Sequence, residues 1–517
     1  MAESTGTLTT TEPSPSLPPL SSMGFARWMW RQFTSMRTAL ILLFLLAFVS
    51  IPGSILPQRG TNPVLVEQWI ADAPTWGPLL DTWGFFDVYA APWFAAVYLL
   101  LFLSLIGCVL PRIGVHWRTM RMPPPPAPRH LGRLPEYQEF TTTQTESAVL
   151  ASARDYLVSR RWRVRSSDPG EGDWIAAEKG YLRETGNLVF HLALIGVLIA
   201  VAVGGLFGWR GNVIVKEGAG FSNTLTQYDA WGGGRFSGPE DLPPFAFTLQ
   251  DFRVEFDRTE AQLGSPRLFE ADIELQREPG APLVKERIEV NYPVSIAGAK
   301  VFLVGHGYAP QFTVTDSQGR VVLDDAVVFL PQDGNFTSTG VIKIPDADPQ
   351  VGIQGLFLPT TALDEVRGPF SLFPEADDPS VFLSAWAGDL GMDAGKPQSI
   401  YSLETDGMEQ LGLRALVPGQ TWELPNGAGT VTLGNYVRWA SFQIAFDPGK
   451  EAALAASVIA ILGLLGSLFI RRRRVWVRVR TAEDGTTLVE VAGLARTEAG
   501  ELPVEVADLA ADLKGKS

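Results

Sequence analysis

Cysteine and histidine are scarce in this chain: one cysteine, Cys108, and four histidines among 517 residues. A lone thiol closes no internal disulfide and makes no CxxC pair, so dithiol exchange within the chain is excluded, and any redox step near it needs a second protein. No Cys/His cluster at metal-ligand spacing, no Walker A sequence, no HExxH and no glycine-rich turn between a strand and a helix is present. With so few histidines, no serine nucleophile with its base and acid can be argued either. No catalytic residue is assigned, and no nucleic-acid partner is expected.

Apolar sequence is plentiful, and it is gathered into blocks. Four stretches of about 20 residues match the thickness of a bilayer's hydrocarbon core. They run over 36–55, 92–110, 187–207 and 452–470. Pro52 and Gly53 should break or kink the first, and Pro111 should stop the second. Residues 1–35 read as a disordered cytoplasmic tail, Ser/Thr/Pro-rich up to Ser22 and lacking the apolar core of a cleavable signal.

Basic residues orient the spans. Arg27, Arg31 and Arg37 precede the first span, and the loop 57–91 holds only Arg59. The next loop opens with Arg112, Arg118 and Arg121, and Arg471 to Arg474 follow the fourth span. All three basic segments then fall on the cytoplasmic side, giving a multi-pass protein of the cell membrane with both termini inside. Trp28, Trp30, Trp93, Trp117, Trp209 and Trp476 fall near expected interfaces, where an indole is favoured.

Between the third and fourth spans lies a long segment, 208–450, in which acidic residues outnumber basic ones about two to one. Phe245 to Phe256, Ala271 to Gln276, Lys300 to Val304, Gln311 to Asp316, Arg320 to Asp325 and Gly429 to Tyr436 read as antiparallel strands. The stretch from Asp333 to Lys396, richer in Pro, Asp and Gly, reads as long loops and short helices. In the loop 111–186, a strand, a helix over Ser147 to Trp162 and a hairpin across Asp168 are expected. In the tail 471–517, a hairpin across Asp484-Gly485 and a helix over Glu501 to Gly515 are expected. The fold class is therefore a membrane protein: four transmembrane α-helices, a large β-rich exported domain between spans 3 and 4, and a small α+β cytoplasmic domain built from loop and tail.

Four stretches carry a resemblance: Arg37 to Arg59 (RTALILLFLLAFVSIPGSILPQR), Glu178 to Gly205 (EKGYLRETGNLVFHLALIGVLIAVAVGG), Asn291 to Pro310 (NYPVSIAGAKVFLVGHGYAP) and Asp447 to Arg478. Together they resemble the ResB (CcsB) family of system II cytochrome c biogenesis. The resemblance implies a partner of the ResC/CcsA type, a multi-span haem-handling protein. With it, haem is delivered outward and attached covalently to exported apocytochrome c, whose thiols a thioredoxin-like protein keeps reduced. It leaves the ligation chemistry mainly to the partner. The alternatives are a transporter subunit or a sensor with an extracytoplasmic ligand-binding domain. A transporter would show more intramembrane polar groups, and a sensor would need an output domain.

His191 is the only histidine within a span, about one turn into the third. An imidazole in hydrocarbon needs a partner. That partner is either a hydrogen-bonding group on a neighbouring span or, as the resemblance implies, the iron of a transient haem b shared with the partner protein. A second axial imidazole would have to come from the partner's helix. His306, in the exported domain beside Gly305 and Gly307, could face haem or the cytochrome. Arg183 and Arg210 bracket the third span and could hold haem propionates. His116 and His130 read as solvated loop residues, and Cys108 as an apolar filler. Gly463 and Gly466 permit close helix approach.

Overall fold

The computed structural model describes residues 21–59, 63–168, 173–366, 368–392, 401–482, 485–495 and 500–515. The expected disordered segment 1–20 and the hairpin tips at 169–172 and 483–484 lie outside these. The chain divides into two compact units, Met1–Val201 with Glu451–Ser517, and Ala202–Lys450.

Four helices are long and apolar enough to cross a bilayer: Met36–Ile55, Pro92–Arg121, Arg183–Phe207 and Lys450–Phe469. No more than 11% of any of them is buried within the chain. A core helix of a soluble bundle would be covered; these leave apolar surface for lipid or another membrane chain. The protein is a multi-pass membrane protein.

The second span departs from the sequence expectation. It does not stop at Pro111 but continues about three turns further, to Arg121. Proline removes one backbone hydrogen bond, a loss that neighbouring helices and polar side chains compensate in membrane helices. The first span likewise runs through Pro52. Residues Ser22–Phe33, expected within the disordered tail, form an amphipathic helix whose N-terminal amide at Gly24 is capped by Ser21 Oγ. Ser104 Oγ and Cys108 Sγ donate to the carbonyls of Phe33 and Thr34, fastening the second span where that helix meets the first.

Spans three and four touch backbone to backbone. A Cβ at Gly186 would lie 2.6 Å from Ser467 N, and one at Gly463 would lie 2.6 Å from Phe190 N. Gly463 therefore serves an internal seam, whereas a Cβ at Gly466 would meet only ordinary contact.

Loop and tail share one antiparallel sheet. Its order is Glu136–Thr142, Thr487–Ala495, Arg473–Thr481, Trp174–Lys179, Arg163–Ser166, so the tail hairpin fills the middle. Val475, Val477 and Val479 alternate onto the face covered by helices Glu146–Ser159 and Leu502–Gly515. Trp476 points to the other face, buried with Trp174 and Leu131, and donates to Pro125 O. Trp476 and Trp209, expected at membrane interfaces, are core residues of two different sheets.

The RRRR run is also not a free basic patch. Glu178, 1% exposed, receives Arg472, Arg474 and Arg163, while Arg472 also reaches Glu184 and Arg473 pairs with Glu501. Burial alone would raise the Glu178 pKa. The hydrogen bonds and charges of Arg472 and Arg474 outweigh it and hold the carboxyl below its usual range.

In the other unit, two 17-residue strands, Ala299–Thr315 and Thr430–Phe446, pair along their length. The first merges the segments Lys300 to Val304 and Gln311 to Asp316, expected as separate strands, through Gly-His-Gly. At one end the ribbon contributes Val301, Phe442 and Ile444 to a core with Phe247 and Ile273. At the other it contributes Phe312, Val314 and Val431 to a core with Ile353 and Leu383. The stretch expected as loops and short helices contains strands Ser338–Ile344, Val351–Leu358 and Ser380–Ala387 of one sheet. Its Pro and Asp residues fall largely in the turns between strands, along which buried residues alternate with more exposed ones.

Candidate functional site

The extension of the second span builds a cavity that the sequence alone could not show. Leu105, Cys108, Val109, Arg112, Val115, His116 and Thr119 recur at three- and four-residue spacing, so a single face of that helix lines it. Glu184, Asn187, Leu188 and His191 do the same for the third span, and Met36 and Ala39 close it from the first. The cavity holds about 400 Å³.

His191 Nδ1 lies 2.8 Å from the carbonyl oxygen of Asn187, one turn back. A carbonyl only accepts, so Nδ1 carries the proton and Nε2 presents its lone pair. Among the described residues Nε2 has no partner. Backbone fixation of one nitrogen with the other left free is the arrangement that orients a metal-ligating histidine. The Phe190 ring meets the imidazole edge-on at 5.1 Å. Among the described residues, its one hydrogen-bonding partner is thus a backbone carbonyl.

His116 is not a solvated loop residue. Its Nε2 is 3.0 Å from Thr185 Oγ1, which ties the second span to the start of the third. Thr185 precedes His191 by six residues, about 9 Å along the helix. The two imidazoles therefore line one cavity at different heights. Arg112 forms no ion pair or hydrogen bond with any described residue, while Glu184 is engaged by Arg472.

The other sequence candidates lie elsewhere. Arg183 begins the third span but does not line the cavity. Arg210 is exposed on strand Trp209–Lys216 of the β-rich unit. His306 is 9% exposed at the waist of the long ribbon, stacked on Phe336 at 4.5 Å and beside Phe269 and Phe252 at 4.9 and 5.2 Å. Its Nδ1 is buried without a hydrogen bond. Desolvation, with the Arg438 charge added, drives its pKa down to about 3. The flanking glycines sit in the strand, and a Cβ at Gly307 would meet the Trp439 indole at 2.4 Å.

One more cluster went unseen in the sequence. Arg59 reaches Asp81 at 2.7 Å and Asp87 at 2.6 Å, and Gln58 bonds the backbone of Phe85 and Val88, so Gln58-Arg59 folds the loop after the first span.

Fold and cavity together define a class: a multi-pass membrane protein with a two-core β domain between its last two spans and a histidine-bearing cavity between its first three. The chain belongs to the ResB-like family, whose model matches residues 36–507. It is 25% identical over 491 residues to the cytochrome c biogenesis protein CcsB of Synechococcus sp. (strain RCC307), covering 92% of this chain and 95% of that one. The CcsB protein of Synechococcus sp. (strain WH7803) is 26% identical, with 86% and 89% covered. The cytochrome c biogenesis protein Ccs1 of Phaeodactylum tricornutum is 22% identical, with 52% and 60% covered.

Proposed function

We propose that this chain acts in cytochrome c biogenesis by holding haem in transit in the cavity between its first three spans, with His191 as an axial ligand. The observation that carries this reading is the His191 ring, which lines the cavity and is fixed through Nδ1 by the Asn187 carbonyl, with no partner at Nε2 among the described residues. The donor set fits haem: one imidazole for the iron and largely apolar walls for a macrocycle. The cargo brings the iron and the vinyl groups that end in thioether bonds; the chain's own task is to bind and orient.

His116 is committed to Thr185, which lies about 9 Å from His191 along the third span, so the second axial ligand is expected from a transmembrane helix of a ResC/CcsA-type partner. The positive-inside pattern puts the cavity in the cytoplasmic leaflet and the β-rich unit outside, where apocytochrome c is presented with thiols reduced by a thioredoxin-like protein. Ligation itself falls mainly to the partner.

The test is co-purification of the full chain with its multi-span partner. Wild type should carry haem with a bis-imidazole spectrum. His191→Ala should lose most of it and recover it when imidazole is supplied during expression. Undiminished haem and cytochrome c maturation in His191→Ala would remove this residue from the site.

A further inference from the structure

The cavity holds a cation that the reading above leaves without a task. Arg112 lines it from the second span and has no carboxylate partner among the described residues. A guanidinium at the edge of hydrocarbon is costly unless something anionic meets it. The one carboxylate in the cavity wall, Glu184, is held by Arg472 at 2.5 Å.

Arg112 also stands at a telling height. The His116–Thr185 contact fixes the register of the second and third spans, which run in opposite directions as successive crossings must. From that contact, Arg112 lies one turn deeper, about 6 Å along its helix, and His191 about 9 Å deeper along the other. The cation and the free imidazole therefore face one cavity within about 3 Å of the same level.

We propose that Arg112 is the anion subsite of this cavity and takes a propionate carboxylate of the haem whose iron meets His191. This rests on the haem reading above and gives the cavity a second recognition element. An imidazole grips the metal without fixing the ring about the axis, and a guanidinium binding a carboxylate through two parallel hydrogen bonds supplies that orientation. It also assigns propionate binding to a residue inside the cavity wall, where Arg183 and Arg210 are not found. The same guanidinium chemistry would accept a lipid phosphate, so the test separates the two.

The full chain is placed in phosphatidylcholine nanodiscs and titrated with hemin and with hemin dimethyl ester, whose carboxylates are masked, following the Soret band. Wild type should bind hemin at least about tenfold tighter than the ester, as a charge-assisted hydrogen bond implies. Arg112→Gln should lose the preference, to less than about twofold, with the Soret position unchanged. Arg112→Lys should keep part of it. His191→Ala should alter the Soret band while retaining the preference. A His191-dependent band with equal affinity for both porphyrins in wild type overturns this proposal alone. Absence of any His191-dependent band overturns it together with the haem reading. Hemin affinity that falls in wild type when phosphatidylglycerol is added, without discrimination against the ester, gives Arg112 to lipid phosphate and overturns the proposal.

Discussion

The His306 imidazole is held without its charge, and this makes the β-rich unit sensitive to acid. In the folded chain the ring stays neutral down to about pH 3, whereas in an unfolded chain it protonates near pH 6.5. Between these values the unfolded state binds the additional proton, so stability falls as the pH is lowered, by up to about 1.4 kcal/mol per pH unit from this group. Thermal unfolding of the full chain between pH 7 and pH 4 should show this slope, and His306→Phe, which suits the surrounding phenyl rings, should flatten it. Equal slopes would mean that the ring is not kept neutral. His191 was legible in the sequence because one polar residue stands out in an apolar run. His306 was not, since Phe252, Phe269 and Phe336 reach it from three separate parts of the chain. Arg112 and His116 were hidden for another reason: a proline that stops a soluble helix does not stop a membrane one, so both had been placed in a loop.

Among the elements, the tail hairpin matters out of proportion to its length. Strands Arg473–Thr481 and Thr487–Ala495 lie between Glu136–Thr142 and Trp174–Lys179, which have no other link to each other in the sheet. Both hairpins could be seen in the sequence as alternating valines around turn residues. Their interleaving could not, because strand order depends on pairings across some three hundred residues. Glu178 locks the arrangement by receiving arginines from both hairpins. Its carboxylate contributes stability at neutral pH that is lost as the pH falls through its lowered pKa. Glu178→Ala removes the buried partner shared by three guanidinium groups, leaving Arg472 with Glu184 and Arg163 with the Met120 carbonyl, and should cost about 3 kcal/mol, the lower end of the scale for breaking a buried ion pair. Limited trypsin digestion of the membrane-embedded protein should then cut within residues 136–179 much faster than in wild type. Cleavage at the wild-type rate would mean that the ion pairs are dispensable.

For the whole molecule, the shared sheet constrains topology without reference to charge. Residues 136–179 and 473–515 are joined strand to strand, so they occupy one side of the membrane whatever the orientation. In the proposed topology spans three and four cross once each, so the segment between them is expected on the opposite face. The arginine bias then selects which side is which. With Cys108→Ser as background, single cysteines at Ser159→Cys, Ala511→Cys and Ser317→Cys report all three segments, since each position is exposed. A membrane-impermeant maleimide should label Ser317→Cys in intact cells, and Ser159→Cys and Ala511→Cys only after the membrane is opened. Exchange of the two patterns would reverse the orientation and move the His191 cavity to the outer leaflet, where it would receive haem only after export. Labelling of Ser159→Cys and Ala511→Cys from opposite sides would contradict the sheet itself. The first result would leave the cavity's chemistry intact while changing its place in haem transit, whereas the second would remove the register from which the common height of Arg112 and His191 follows.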